Sequence, residues 1–221
     1  MTKTIRITGV VLALLLILFE QTLNLDAFIK QGFKIVLLVI IPLVIIYFCK
    51  KTTFKKEYNL ENVTFKDLKK PLVAGILIYV LTIIGYIIFK PIIDTDTLVN
   101  GLAESGINAG NIIYTSLYLS FINSFMEEFF FRGFIYQHFS TISVKIGYVV
   151  SSALFSIYHV LVMFAIFDWM MGVLALIGLM IVGMILVYIN NSNKSIINSW
   201  IVHLFADLGI VTIGIFLLFT A

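Results

Sequence analysis

The chain has 221 residues, of which 61% are hydrophobic and 12% are charged, and its formal net charge is +3. Soluble domains carry about 25% charged residues, so this composition excludes an ordinary soluble protein. The small net charge gives no basis for nucleic-acid binding, and a single cysteine, Cys49, excludes an internal disulfide. The apolar residues form long blocks of the length that a helix needs to cross a bilayer.

Seven apolar blocks follow one another along the chain. They cover residues 5–23, 33–49, 72–89, 111–131, 146–164, 170–189 and 195–219, and the fourth block extends toward residue 139. The predicted fold class is therefore all-α, a polytopic membrane helical bundle with about seven transmembrane helices. Pro42 lies inside the second block, where we expect a kink, and Pro71 lies at the edge of the third, where proline is tolerated.

Basic residues collect on one side of these spans. Lys3 and Arg6 precede the first span, lysines crowd residues 50–70, and Lys145 and Lys194 lie in later loops of the same side. The positive-inside rule makes this side cytoplasmic and predicts a cytoplasmic N-terminus. The first block has no small-x-small cleavage site, so we expect it to remain as a helix. We interpret the loop at 50–70 as a topology determinant near anionic headgroups, with a substrate or phospholipid docking site as the alternative.

Few ionisable residues remain at bilayer depth once the loops are set aside. They are Glu127, Glu128, Arg132, His159, His203 and Asp207, which fall on the fourth, fifth and seventh blocks. Such residues are costly inside a membrane and usually mark a functional site. A structural ion-pair network that only packs helices together is the alternative reading.

The spacing of these residues predicts how they pair. Glu128 and Arg132 are four residues apart, as are His203 and Asp207, so each pair shares one helix face. Glu127 and Glu128 point about 100° apart on a helix, which predicts different roles for them. We expect Arg132 to hold Glu128 in an ion pair and Glu127 to serve as a general base.

Two kinds of chemistry fit a carboxylate and two histidines from different helices. They can position and ionise a water, or they can bind a divalent metal with one position open for water. The sequence has no His-Glu-x-x-His and no Gly-x-Ser-x-Gly, so a zincin and a serine hydrolase of the nucleophile-elbow type are excluded.

Three motifs in order carry a resemblance to a known family. They are Glu127-Glu128-x-x-x-Arg132, Phe155-x-x-x-His159 and His203-x-x-x-Asp207. Together they resemble the CAAX-protease and bacteriocin-processing (CPBP, or Abi) family of intramembrane proteases, which includes the type II CAAX prenyl endopeptidases. The resemblance covers about residues 111–215. It implies that residues 111–221 form a CPBP-like catalytic helical core, and that residues 1–110 contribute N-terminal transmembrane helices and the basic cytoplasmic loop.

The resemblance also implies a role for each motif residue. Glu127 and His159 would activate the hydrolytic water, and His203 with Asp207 would stabilise the oxyanion. Ionised Asp207 can only accept hydrogen bonds, so we expect it to orient His203, with a protonated Asp207 or a metal-bound Asp207 as the alternatives. If the enzyme uses a metal, zinc or another divalent ion, its ligands would be Glu127, His159 and His203. A glutamate protease that works without metal is the alternative.

These inferences converge on a function hypothesis. We expect an intramembrane endopeptidase of a bacterial plasma membrane, acting on a peptide or protein that reaches the site from the cytoplasmic side. Its other partner would be the lipid bilayer itself. Two alternatives belong to other classes: a non-catalytic bacteriocin self-immunity or membrane-signalling protein on the same scaffold, and a proton- or cation-coupled transporter.

Overall fold

Helices make up nearly all of the described chain. The computed structural model describes residues 2–22, 27–50, 53–60, 63–104, 106–166, 169–192 and 194–220, and these ranges contain no strand. The helices within them are α1 (Thr2–Thr22), α2 (27–50), α3 (Phe54–Glu57), α4 (Lys69–Phe89), α5 (Thr95–Glu104), α6 (112–140), α7 (Val144–Ile166), α8 (Trp169–Asn190) and α9 (Ile196–Thr220). The prediction of an all-α membrane bundle is confirmed.

The long helices correspond to the seven predicted spans. Four of them are long and apolar enough to cross a membrane, within Ile29–Cys49, Lys69–Phe89, Gly172–Asn190 and Ile196–Thr220 of the described chain. The other three predicted spans fall on α1, α6 and α7, and their crossing of the bilayer stays a prediction. The predicted end of the first span, residue 23, lies outside the described residues.

Two long helices contain π-helical turns, which the apolar pattern does not predict. In α2 the π turn Val36–Ile40 ends two residues before Pro42, and a local change of helix type is one way to accommodate a proline that lacks its N–H donor. In α6 two π segments, Tyr118–Asn123 and Phe129–Tyr136, flank a short α-helical stretch, Ser124–Glu128. Such π turns are frequent at functional sites.

The chain forms two compact units. The first contains Met1–Val63 and Met126–Ser199, and the second contains Thr64–Phe125 and Trp200–Ala221. In the first unit α7 and α8 pack closely, because a Cβ added at Gly183 would lie only 3.0 Å from the Cβ of Ser152. In the second unit α4 and α9 approach in the same way at Gly75. The division of the chain at residue 110 stays a prediction.

One aromatic side chain anchors the segment after α2 within the first unit. Tyr58 is fully buried, and its ring meets the Phe129 ring edge-on at 5.0 Å between centroids. It also lies against Gly133, where an added Cβ would be 2.5 Å from Tyr58 Cε1. Burial, with a smaller contribution from Glu57, raises the pKa of Tyr58 well above its ordinary value, so the buried ring stays neutral.

The Tyr58 contact predicts the effect of a methyl group at Gly133. Gly133→Ala should destabilise the protein by about 1–3 kcal/mol, because the rigid tyrosine ring must move to admit the methyl group. The matched control is Gly178→Ala, since nothing lies within 4 Å of a Cβ there. Thermal unfolding of both detergent-purified variants measures the difference. Equal melting temperatures would show that the Tyr58 ring does not constrain residue 133.

Candidate active site

The three charged residues of the first motif lie at the junction of an α-helical and a π-helical stretch of α6. Glu127 and Glu128 end the α-helical stretch, and Arg132 lies inside the π segment that follows. All three are buried, with 2% of Glu127 and none of Glu128 or Arg132 exposed. Two carboxylates and one guanidinium give this cluster a formal charge of −1. A buried charge requires a partner, so a cationic group is expected beside it.

The predicted ion pair between Glu128 and Arg132 is present. Arg132 Nη1 lies 2.9 Å from Glu128 Oε1, and both side chains are fully buried. The guanidinium also lies over the Phe155 ring of α7, with 4.0 Å from Cζ to the ring centroid. The stacking supplies a favourable surface for a charge that has lost its water. This interaction joins α6 to α7 within the first unit.

The His159 imidazole has a fixed direction. Its Nδ1 lies 2.9 Å from the carbonyl oxygen of Phe155, one turn earlier in α7. Because a carbonyl oxygen only accepts hydrogen bonds, Nδ1 must donate its proton to it. The second ring nitrogen, Nε2, lies 3.3 Å from Glu127 Oε2.

This arrangement sets what can lie between His159 and Glu127. With Nδ1 protonated, the neutral ring presents a lone pair at Nε2 toward a carboxylate oxygen. Two lone pairs at this distance are stable only with a shared proton or a cation between them. The pair is therefore built to hold a proton or a metal ion, and such a cation would also balance the negative charge of the buried cluster.

The sequence suggests only a helix-packing role for Phe155, but the residue has a larger part in this geometry. Its carbonyl fixes the His159 tautomer, its ring lies under Arg132, and the same ring lies 4.2 Å from the His159 ring between centroids. One residue therefore positions both the histidine and the arginine. The motif spacing of four residues is what puts the Phe155 carbonyl within reach of the His159 ring.

Serine and lysine side chains near this cluster were missed in the sequence. Ser151 Oγ donates to the carbonyl oxygen of Phe131 at 2.8 Å and so satisfies a backbone group inside the π segment. Lys34 of α2 is only 9% exposed, and its ammonium lies 5.6 Å from the centroid of the Tyr158 ring. The sequence prediction counts Lys34 among the loop charges of the side opposite the lysine-rich one. Its position inside the predicted second span, 33–49, is the signal that could have identified it.

The remaining two predicted residues belong to the second unit. His203 Nε2 lies 3.7 Å from Asp207 Oδ1, and the side chains are 7% and 21% exposed. This separation is longer than a hydrogen bond, so the contact is electrostatic. Near the start of this part of α9, Trp200 Nε1 donates to the Phe121 carbonyl oxygen at 3.2 Å, and its ring meets the Phe125 ring edge-on at 5.5 Å.

Fold and chemistry together define a class: a helical integral membrane protein in which a buried carboxylate lies beside a partly exposed imidazole. Residues 109–209 match the family model described as type II CAAX prenyl endopeptidase Rce1-like, and this segment contains all six predicted site residues. The match confirms the resemblance carried by the three motifs. A search of curated proteins and a search of solved structures each found no match.

The buried ion pair predicts a non-additive effect on stability. Arg132→Met should cost about 3–5 kcal/mol, because it leaves Glu128 buried without its partner. The double variant Glu128→Met with Arg132→Met removes both charges and should recover a large part of that loss. Unfolding midpoints of the single and double variants, measured in the same detergent, provide the comparison. A double variant as unstable as the sum of the two single variants would contradict a direct pairing.

Proposed function

We propose that this protein is an intramembrane endopeptidase that hydrolyses a peptide bond of a membrane-associated peptide or protein. The observation that carries the proposal is the Glu127–His159 pair, in which the tautomer set by the Phe155 carbonyl points Nε2 at a buried carboxylate. The pair brings a carboxylate and an imidazole of fixed tautomer together, which is the arrangement that water activation needs. An enzyme gains a base that is held ready to take a proton from water.

In the proposed reaction Glu127 is the general base. Glu127 takes a proton from water as the water oxygen bonds to the carbonyl carbon of the scissile peptide. When the tetrahedral intermediate collapses, the carbon–nitrogen bond breaks and Glu127 returns the proton to the leaving amine. His159 holds the water beside Glu127. Glu128 is held by Arg132 and supports the base through its helix without touching the substrate.

His203 is the proposed donor to the oxyanion, and Asp207 its positioning residue. The nearby carboxylate of Asp207 would orient the His203 ring, so that a ring N–H can donate to the negative oxygen of the intermediate.

We propose that the same residues supply the donors for a divalent metal. Glu127 would supply one oxygen, and His159 and His203 would each supply one ring nitrogen. Three such ligands with one position left for water are typical of catalytic zinc sites, where the ion lowers the pKa of the water. The His159–Phe155 hydrogen bond is the type of outer contact that fixes the ring of a metal-bound histidine. We propose zinc, or another divalent ion, as the cofactor.

The proposed substrate approaches from the lysine-rich side of the membrane. The positive-inside rule makes that side cytoplasmic, and with it the N-terminus, in what we propose is a bacterial plasma membrane. The family match favours a peptide whose C-terminus carries a prenylated cysteine. The bilayer would then hold the lipid anchor while the peptide enters the site.

The first functional prediction concerns the residues of the proposed site. Glu127→Gln, His159→Asn and His203→Asn should each lower cleavage at least a hundredfold, since each removes a base or a donor used in the reaction. The assay uses an internally quenched peptide with a farnesylated C-terminal Cys-a-a-x sequence, in parallel with its non-farnesylated form. Melting temperatures check that the variants fold.

The remaining histidine provides a matched control for this assay. His138 is buried and its Nδ1 hydrogen-bonds the Phe134 carbonyl oxygen, but it lies outside the three motifs, so His138→Asn should retain cleavage. Cleavage that survives at full rate in a site variant would remove that residue from the mechanism. A wild-type protein that protects cells from a bacteriocin, but cleaves neither peptide, would favour the immunity function over the enzyme.

The second functional prediction concerns the metal. Wild-type protein purified without chelator should contain about one zinc per chain, and His159→Asn should contain much less, because a three-ligand site loses affinity steeply when one ligand is removed. Elemental analysis measures the metal, and cleavage before and after chelation measures its use. Full activity in protein that contains no metal would instead establish a glutamate protease.

A further inference from the structure

The first unit contains a polar cavity that the proposed reaction does not use. Its volume is about 850 Å³. It is lined by residues at the ends of α6 and α8, at the start of α7 and in the segment 53–60. The residues that define its chemistry are Lys56, Lys194, Tyr136, Asn190, Asn191 and Gln137. None of them belongs to the three motifs.

Asn190 is the clearest sign that this cavity receives a ligand. The residue is only 2% exposed, and its Oδ1 has no hydrogen-bond partner among the residues that the structure describes. A buried polar atom without a partner is costly, and a native structure rarely retains one without a reason. A ligand with a hydroxyl or ammonium donor would satisfy this oxygen.

The other polar groups of the cavity are donors, so they require acceptor oxygens on the ligand. Lys56 and Lys194 offer ammonium donors at the rim of the cavity, where both are exposed. Asn191 Nδ2 donates to the Tyr136 hydroxyl at 2.5 Å, so the hydroxyl proton of Tyr136 is a further donor for a ligand oxygen. Lysines and a phenol together suit the several acceptor oxygens of a phosphate.

Two residues that line the cavity, Lys194 and Asn59, have an unusual backbone conformation. Lys194 has φ 59 and Asn59 has φ 49, so both adopt the left-handed conformation that non-glycine residues rarely use. Asn59 directly follows Tyr58, whose buried ring fixes the segment 53–60 against α6. The cavity wall is therefore shaped by constrained backbone on two sides, at 59 and at 194.

The location favours a lipid over a soluble anion. The cavity adjoins Val144 at the start of α7, which is 56% exposed and forms an apolar edge. Tyr136 and Tyr148, whose rings meet edge-on at 5.7 Å, are residues typical of the membrane interface. Such a cavity presents polar groups to a headgroup and an apolar edge to the acyl chains that are attached to it.

We propose that this cavity binds the phosphoglycerol headgroup of an anionic phospholipid. The phosphate lies between Lys56, Lys194 and the Tyr136 hydroxyl, and a glycerol hydroxyl donates to Asn190 Oδ1. The lining carries two lysines and Glu57, a formal charge of +1 that matches the single negative charge of this headgroup. The binding involves no residue of the proposed active site.

Native mass spectrometry of the full chain in detergent tests the proposal. Dioleoyl phosphatidylglycerol should bind more tightly than dioleoyl phosphatidylcholine or phosphatidylethanolamine, and Lys56→Gln with Lys194→Gln should weaken it about tenfold or more. The matched control is Lys55→Gln with Lys145→Gln, which removes equal charge from exposed neighbours outside the cavity lining. The control should bind within about twofold of the wild type.

Asn190→Leu provides the second variant. It should weaken binding of phosphatidylglycerol without lowering the melting temperature, because the leucine removes a buried oxygen that has no hydrogen-bond partner in the described part of the chain. A melting temperature that falls sharply, with lipid binding unchanged, would assign Asn190 to the fold and overturn the headgroup contact.

Three further outcomes would overturn the proposal. If the cavity and control lysine substitutions weaken lipid binding equally, the effect comes from general surface charge and not from the cavity. Displacement of the lipid by an equal concentration of glycerol 3-phosphate would identify a site for free phosphate esters. Unchanged lipid binding in the cavity variants, with a raised KM for the quenched peptide, would assign the lysines to the substrate.

Discussion

The fully buried ion pair between Glu128 and Arg132 is the interaction around which the first unit is arranged. Neither charge has access to water, so each must be stabilised by what the fold supplies. The guanidinium has the carboxylate on one side and the Phe155 ring on another, and Phe155 in turn holds His159 through its carbonyl. The need to stabilise one arginine therefore also sets the direction of the histidine on the neighbouring helix.

This chain of contacts gives the two adjacent glutamates different surroundings. Glu128 is compensated by a permanent cation, whereas Glu127 lies beside an imidazole whose charge depends on a proton or a metal. The first pairing lies within α6, and the second joins α6 to α7. Adjacent positions on one helix thus provide a support and a reactive group, which is the division of roles that the proposed hydrolysis needs.

The sequence predicted the elements and the pairs well, because both follow from local spacing. The seven apolar blocks fall on the seven long helices of the described chain, and the four-residue interval from Glu128 to Arg132 produces the expected ion pair. What it could not predict depends on helix type and on long-range packing. The π turns of α6, the burial of Lys34 and the insertion of Tyr58 beside Gly133 leave no periodic signal. The assembly of all six residues into one catalytic site stays a prediction.

The π segment 129–136 has a consequence for the length of α6. A π turn holds more residues per turn than an α-helix, so a family member with one residue fewer in this stretch could form a regular α-helix instead. Each residue of an α-helix turns the chain by about 100°. Such a deletion would leave the glutamates in place but redirect every side chain that follows, including Tyr136 at the cavity. Relatives with an alignment gap at 129–136 would therefore present different side chains at the C-terminal end of this helix, even where their glutamates align.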